Sequence, residues 1–147
     1  MTVQIRSPAP ENYMDTHLEG DKAELKIASI ALDKGYKVSF PFGHNCRYDL
    51  ILDNGSKLER IQIKTTSSYT DVLKVHTRSL GKRDGKQIRK LYTSEEIDAI
   101  IILDRRTGKC YYLPIRMVEG KDTIILRFIP TKNGQTKSVH YARDFEW

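Results

Sequence analysis

Asn54-Gly55, set between the apolar stretches Tyr48–Leu52 and Leu58–Lys64, fixes the local topology of this chain more tightly than any other feature. An Asn-Gly pair accepts the positive-φ backbone of a tight hairpin, so the two stretches read as antiparallel strands closed by Asp53-Asn54-Gly55-Ser56. Pairing about that turn sets Asp49 roughly opposite residues 62 to 64. On the second strand, Arg60-Ile61-Gln62-Ile63-Lys64 alternates, and side chains two positions apart share a face. The amide of Gln62 and the ammonium of Lys64 therefore point to one side of the hairpin.

The surrounding elements follow from periodicity. Residues Asp21 to Lys34 read as a helix, with Ile27, Ala28 and Ala31 three, four and seven positions after Glu24, and Gly35 stands at its end. Glu24 thus begins the buried face. Tyr36–Phe40 alternates as a strand, and Phe42-Gly43-His44-Asn45-Cys46 reads as a loop after Pro41. Later strands are expected at Val72–His76, Ile97–Leu103, Cys110–Leu113 and Thr123–Phe128, with a turn at Arg105-Arg106-Thr107-Gly108 and a short terminal helix near Tyr141–Trp147. Ile97–Leu103 has the length and β-branched content of a strand buried on both faces. Helices on a mixed sheet make an α/β layer architecture.

Pro8 and Pro10 mark residues 1–18 as a loosely packed arm, which leaves one domain over 19–147. A chain of 147 residues buries an adequate core without staples. Cys46 and Cys110 lie far apart, with no CxxC pair or histidine at ligand spacing, and read as buried or half-buried thiols. His44, His76 and His140 have no metal-ligand spacing. The absence of a signal-like run or a long apolar span points to a soluble, cytoplasmic protein. A formal charge of +6 draws the chain to polyanions, nucleic acid above all.

Taken singly, Asp49, Gln62 and Lys64 also fit the solvent face of an ordinary hairpin. Glu24 fits that reading less well. A carboxylate on the apolar face of a helix must stay neutral, pair or bind a cation. An acid, an amide and a lysine brought together supply hard oxygen ligands for Mg²⁺ and a fixed positive charge beside a phosphate. By composition, Arg78–Lys90, with Lys82, Arg83, Lys86 and Arg89, reads as a solvated loop.

The ordered set Gly20-Asp21-Lys22-Ala23-Glu24, Arg47-Tyr48-Asp49-Leu50-Ile51 and Arg60-Ile61-Gln62-Ile63-Lys64-Thr65-Thr66 resembles the PD-(D/E)XK nuclease superfamily. Within it, the chain is similar to the group that includes intron-encoded homing endonucleases with glutamine in place of the second acid. The match continues more weakly through Ile97-Asp98-Ala99-Ile100 and Tyr111-Tyr112-Leu113-Pro114. Tyr48 replaces the proline of the family's name, which is not a metal ligand. The resemblance implies a restriction-endonuclease-like mixed β-sheet core flanked by helices. It implies Asp49 as principal ligand of Mg²⁺, with Mn²⁺ as a substitute, Gln62 and the Ile63 carbonyl completing the shell, Glu24 binding directly or through water, and Lys64 orienting the attacking water. Gln62 adds no negative charge, so the number of ions stays open.

The implied substrate is double-stranded DNA. Thr65, Thr66 and the basic loop from Arg78 through Lys82, Arg83, Lys86 and Arg89 to Lys90 would contact its phosphates. One site per chain implies a homodimer or homotetramer for cutting two strands. A Holliday-junction resolvase and a catalytically inactive DNA-binding module on the same fold are the two alternatives.

Overall fold

A computed structural model describes residues 16–147. Helix α1 runs Thr16–Asp33 and so takes in residues 16–18 of the expected arm. Residues 1–15 of that arm lie outside the described residues. The earlier start has a physical reason. Glycine inside a helix costs about 1 kcal/mol, but Glu19 in the first turn favours the helix dipole and pairs with Lys22 at 2.9 Å, so Gly20 does not break the helix. The buried face is Ala23, Ile27, Ala28 and Ala31, small enough to let α1 lie close against a sheet. Gly35, at φ 89°, ends it, with the Tyr36 amide donating to Ala31 O at 3.0 Å.

The strands are β1 Lys37–Ser39, β2 Leu50–Asp53, β3 Leu58–Thr66, β4 Val72–His76, β5 Arg78–Arg83, β6 Lys86–Leu91, β7 Ala99–Asp104, β8 Cys110–Pro114, β9 Thr123–Arg127 and β10 His140–Tyr141. A one-turn helix, α2, spans Ile115–Val118. The main sheet has the order β1-β2-β3-β7-β8, with β3 and β7 parallel and the other pairs antiparallel. A second sheet runs β10-β9-β4, and β5 and β6 form a two-stranded ribbon.

Every residue of β7 is buried, as expected of a strand covered on both faces. Ala99, Ile101 and Leu103 join Leu50, Leu52, Ile61 and Ile63 beneath α1. Ile100 and Ile102 face the other way, into a core with Leu73, Val75, Leu113, Ile124 and Leu126. The result is three layers, helix, main sheet and second sheet, of the restriction-endonuclease-like α/β type expected. Burying one such isoleucine stabilises the fold by roughly 1.5–3 kcal/mol. The end of β7 is tied down by Asp104, fully buried, which accepts from Ser68 N at 3.0 Å, Ser68 Oγ at 2.6 Å, Thr107 Oγ1 at 2.8 Å and Arg106 N at 3.0 Å.

Three sequence expectations need correction. The Arg78–Lys90 loop is the hairpin β5–β6, closed by Asp84 at φ 51° and Gly85 at φ 74°, a two-residue primed turn hidden in a run of charges. The terminal helix is only a 3-10 turn, Ala142–Phe145, because the chain beyond it returns to β8, where Tyr111 bridges Glu146 and Trp147 N donates to Cys110 O at 3.0 Å. Cys46 is exposed rather than half-buried, whereas Cys110 is buried, and both are free thiols.

Candidate active site

The hairpin β2–β3 pairs Leu50 with Ile61, which leaves Asp49 opposite Gln62 with its amide donating to Ile61 O at 2.8 Å. Beyond that point the two strands part, because the chain ahead of Asp49 turns away as a loop. The edge of β3 at Ile63 therefore has no β2 residue beside it, and side chains take over its backbone groups. Ile63 N donates to Asp49 Oδ2 at 2.7 Å, and Ile63 O accepts from Gln62 Nε2 at 3.1 Å. Gln62 Nε2 also donates to Asp49 Oδ2 at 2.7 Å.

Gln62 and Lys64 lie on one face of β3, as the alternation predicts, while Ile61 and Ile63 pack beneath α1. Lys64 Nζ donates to Arg78 O at 3.0 Å and lies 5.3 Å from the centroid of the Tyr92 ring. Burial pushes the Lys64 pKa down; Asp49 opposes this, and the guanidiniums of Arg47 and Arg78 add to it. Burial raises the Asp49 pKa against the pull of the Ile63 amide and Lys64.

Glu24 is half-buried on α1, and its pKa is raised to about 7, by burial first, then by Asp49 and Asp21. The charge of Asp49 thus disfavours the ionisation of Glu24. The sheet edge and the helix thus concentrate negative potential at one place.

Among the described residues no three His, Cys, Asp or Glu side chains gather to hold a metal ion. The oxygen set here is mixed: two carboxylates, one backbone carbonyl and one side-chain amide. The Gln62 N–H group bridges a carboxylate and a carbonyl, which is where positive charge is favoured, and a half-turn of the amide would present Oε1 instead. Such a set fits a hard divalent cation.

The expected DNA-contacting residues divide. Thr65 Oγ1 donates to Leu103 O and Thr66 Oγ1 to Lys74 O, both at 3.2 Å, so these hydroxyls are engaged by backbone carbonyls of the chain itself. The Arg78 guanidinium pairs with Asp122, leaving Nε buried and without a partner among the described residues, so this side chain anchors β5 rather than reaching outward. Lys82, Arg83, Lys86, Arg89 and Lys90 are all exposed.

Arg47 and Tyr92 escaped the sequence reading. Arg47 pairs with Glu96, donates Nη1 to Ser79 Oγ at 2.6 Å and Nη2 to Leu91 O at 3.0 Å, and lies 4.2 Å from the Tyr92 ring centroid. Tyr92 is buried, and no spacing ties it to Lys64. Arg47, two residues before Asp49, offered the only hint.

The sequence profile of the PD-(D/E)XK endonuclease family matches residues 14–147. No curated protein matches the sequence. Among solved structures the chain is similar to the bacterial homing endonuclease I-Ssp6803I, at 22% identity and a TM-score of 0.70, over 89% of this chain and 88% of that one. It is also similar to Hjc, a Holliday junction resolvase from the archaeal hyperthermophile Archaeoglobus fulgidus, at 13% identity and a TM-score of 0.47, over 74% of this chain and 84% of that one. A hairpin that sets Asp49 against a Gln-x-Lys strand, under a profile covering nearly all of the sequence, leads to one conclusion: the chain belongs to the PD-(D/E)XK endonuclease family.

Proposed function

We propose that this protein is a metal-dependent endonuclease that hydrolyses phosphodiester bonds of double-stranded DNA, of the site-specific homing type. One observation carries the reading: at the parting of β2 and β3, Asp49, Gln62 and the Ile63 carbonyl meet on the strand that bears Lys64. Asp49, Gln62 through Oε1, Ile63 O and Glu24 would hold Mg²⁺, or Mn²⁺ in its place. Bound there, the ion would supply Lewis acidity toward the phosphoryl oxygen and a lowered pKa for water. Lys64 provides fixed positive charge in a partly desolvated setting, where it stabilises the charge that builds on the phosphorane as water attacks and the P–O bond to the leaving oxygen breaks. Glu24, in its ionised form, accepts a hydrogen bond from water or binds the cation itself. The exposed cations Arg83 and Lys86, beside the β5–β6 turn, hold DNA phosphates. Cutting both strands calls for two sites, hence a homodimer or homotetramer.

The test is cleavage of supercoiled plasmid and of a four-way junction with Mg²⁺, Mn²⁺ or EDTA, beside Asp49→Ala. Metal-dependent linear products, lost in the variant, support the proposal. Junction-specific nicks instead identify a resolvase. DNA retarded in a gel but uncut under every condition, with affinity indifferent to metal and to Asp49, identifies a binding module.

A further inference from the structure

Among the described residues, strands β5 and β6 pair only with each other, and every residue from Gly81 to Lys90 is exposed. The stretch carries Lys82, Arg83, Lys86, Arg89 and Lys90 against a single carboxylate, Asp84. Of these cations, only Lys90 has an ion-pair partner among the described residues, Glu96 at 3.4 Å. Arg83 and Lys86 stand directly opposite each other beside the turn, a like-charge pairing that weakens a free ribbon. A two-stranded ribbon with no core of its own is marginal in water. This one is fixed at its root, where Arg47 grips Ser79 and Leu91 O, and Arg78 pairs with Asp122. The root also accepts the Lys64 ammonium through Arg78 O. It is therefore an anchored cationic projection that begins at the active site.

We propose that β5–β6 is a base-reading ribbon that enters the major groove of duplex DNA; the proposal rests on the nuclease reading above and names the surface that gives it sequence preference. The register pairs Leu80 with Arg89 and Lys82 with Gln87, so these four side chains share one face. The opposite face pairs Gly81 with Ile88 and Arg83 with Lys86. The two faces differ in chemistry. Gln87 and Arg89 are the residue types that make paired hydrogen bonds to adenine N6/N7 and guanine O6/N7, and Leu80 offers an apolar contact for a thymine methyl. Arg83 and Lys86 carry charge without such selectivity and suit phosphates. The dimensions agree. Two strands about 4.8 Å apart fit, with side chains, a groove about 12 Å wide, and strands of six residues reach about 20 Å.

The test uses the full chain carrying Asp49→Ala, so that duplexes are bound and not cut. A randomised DNA duplex pool is selected on it and sequenced, and the selection is repeated with Gln87→Ala, Arg89→Ala or Lys86→Ala added. These positions are exposed, so folding is preserved. Gln87→Ala and Arg89→Ala should each flatten the preference at one or two base pairs and weaken the selected duplex about 5- to 150-fold, with affinity for random duplex nearly unchanged. Lys86→Ala should weaken all duplexes alike and reduce the salt slope by about 1. An unselective pool, a profile indifferent to Gln87 and Arg89, or one altered by Lys86→Ala instead would overturn the proposal. The nuclease reading is checked separately, by offering the selected duplex with Mg²⁺ to the chain with Asp49 intact. A ribbon-dependent profile without cutting would uphold the ribbon and refute the nuclease.

Discussion

The Lys64 ammonium stands 5.3 Å from the centroid of the Tyr92 ring, and the Arg47 guanidinium lies 4.2 Å from the same centroid. The aromatic quadrupole offsets part of the repulsion between two cations near one ring. Under the proposed function, Tyr92 acts as a positioning residue for Lys64. Replacing it by leucine should lower the single-turnover cleavage rate about 30-fold, the equivalent of ~2 kcal/mol for a desolvated cation–π contact. DNA affinity should hold within a few-fold. Tyr92→Phe, which keeps the ring, should restore most of the rate, and equal losses in both variants would refute this role.

Asp49 accepts two hydrogen bonds at one oxygen, from Gln62 Nε2 and Ile63 N, and interacts electrostatically with Lys64. Asp49→Ala and Lys64→Ala should each abolish cleavage while leaving DNA binding within a few-fold. Gel retardation beside a plasmid assay reads both. Native-rate cutting by either variant would show that the site has been wrongly assigned.

Glu24, with a pKa raised from 4.5 to about 7, makes activity pH-dependent. If the proposed role holds, its ionised form is the working one, and the rate should climb about tenfold per unit as pH rises toward 7 and then level. Glu24→Gln should remove that limb. Stability runs the other way. Between pH 4.5 and about 7 the native chain holds a proton that the unfolded chain has lost, so stability falls as pH rises through this window. Glu24→Gln should accordingly raise the thermal midpoint at pH 8 and change it little at pH 5, in melts without metal.

Asp104 has the opposite sign. Burial alone would raise its pKa, but hydrogen bonds from Ser68, Thr107 and the Arg106 amide hold it below the ordinary aspartate value. Its stabilisation is present above the unfolded pKa and is lost as pH falls through the folded one. Asp104→Asn, which turns an acceptor into a donor against these N–H and O–H groups, should cost about 2–4 kcal/mol in urea unfolding.

The site was legible wherever local rules govern it. Asn54-Gly55 marked where the hairpin turns, although the link is the four residues 54–57, with Asp53 paired to Leu58, and that longer link is what brings Asp49 to Gln62; the two-residue period put Gln62 and Lys64 on one face. The buried strand over Ala99–Asp104 was legible from its composition, although Asp98 stays outside it to accept the Arg60 amide at 2.7 Å. What was missed depends on contacts distant in sequence. Tyr92 lies 28 positions beyond Lys64 and meets it only because β5–β6 folds back on itself between them. Asp84-Gly85 is as good a turn signal as Asn54-Gly55, but its flanks are charged rather than apolar, and without a hydrophobic alternation the pattern reads as a loop.

The parting of β2 from β3 also determines how this activity can be lost in evolution. Two of the groups at the centre, the Ile63 amide and carbonyl, belong to the main chain. An apolar exchange at position 63 that keeps the packing beneath α1 leaves both in place; a proline would remove the amide, and a slip of register would displace both. Inactivating point mutations should therefore fall on Glu24, Asp49, Gln62 and Lys64, and at position 63 only on changes that disturb the core. A descendant that had lost all four side chains would still carry the shape of the site in its backbone, so that catalysis could be regained by side-chain changes alone.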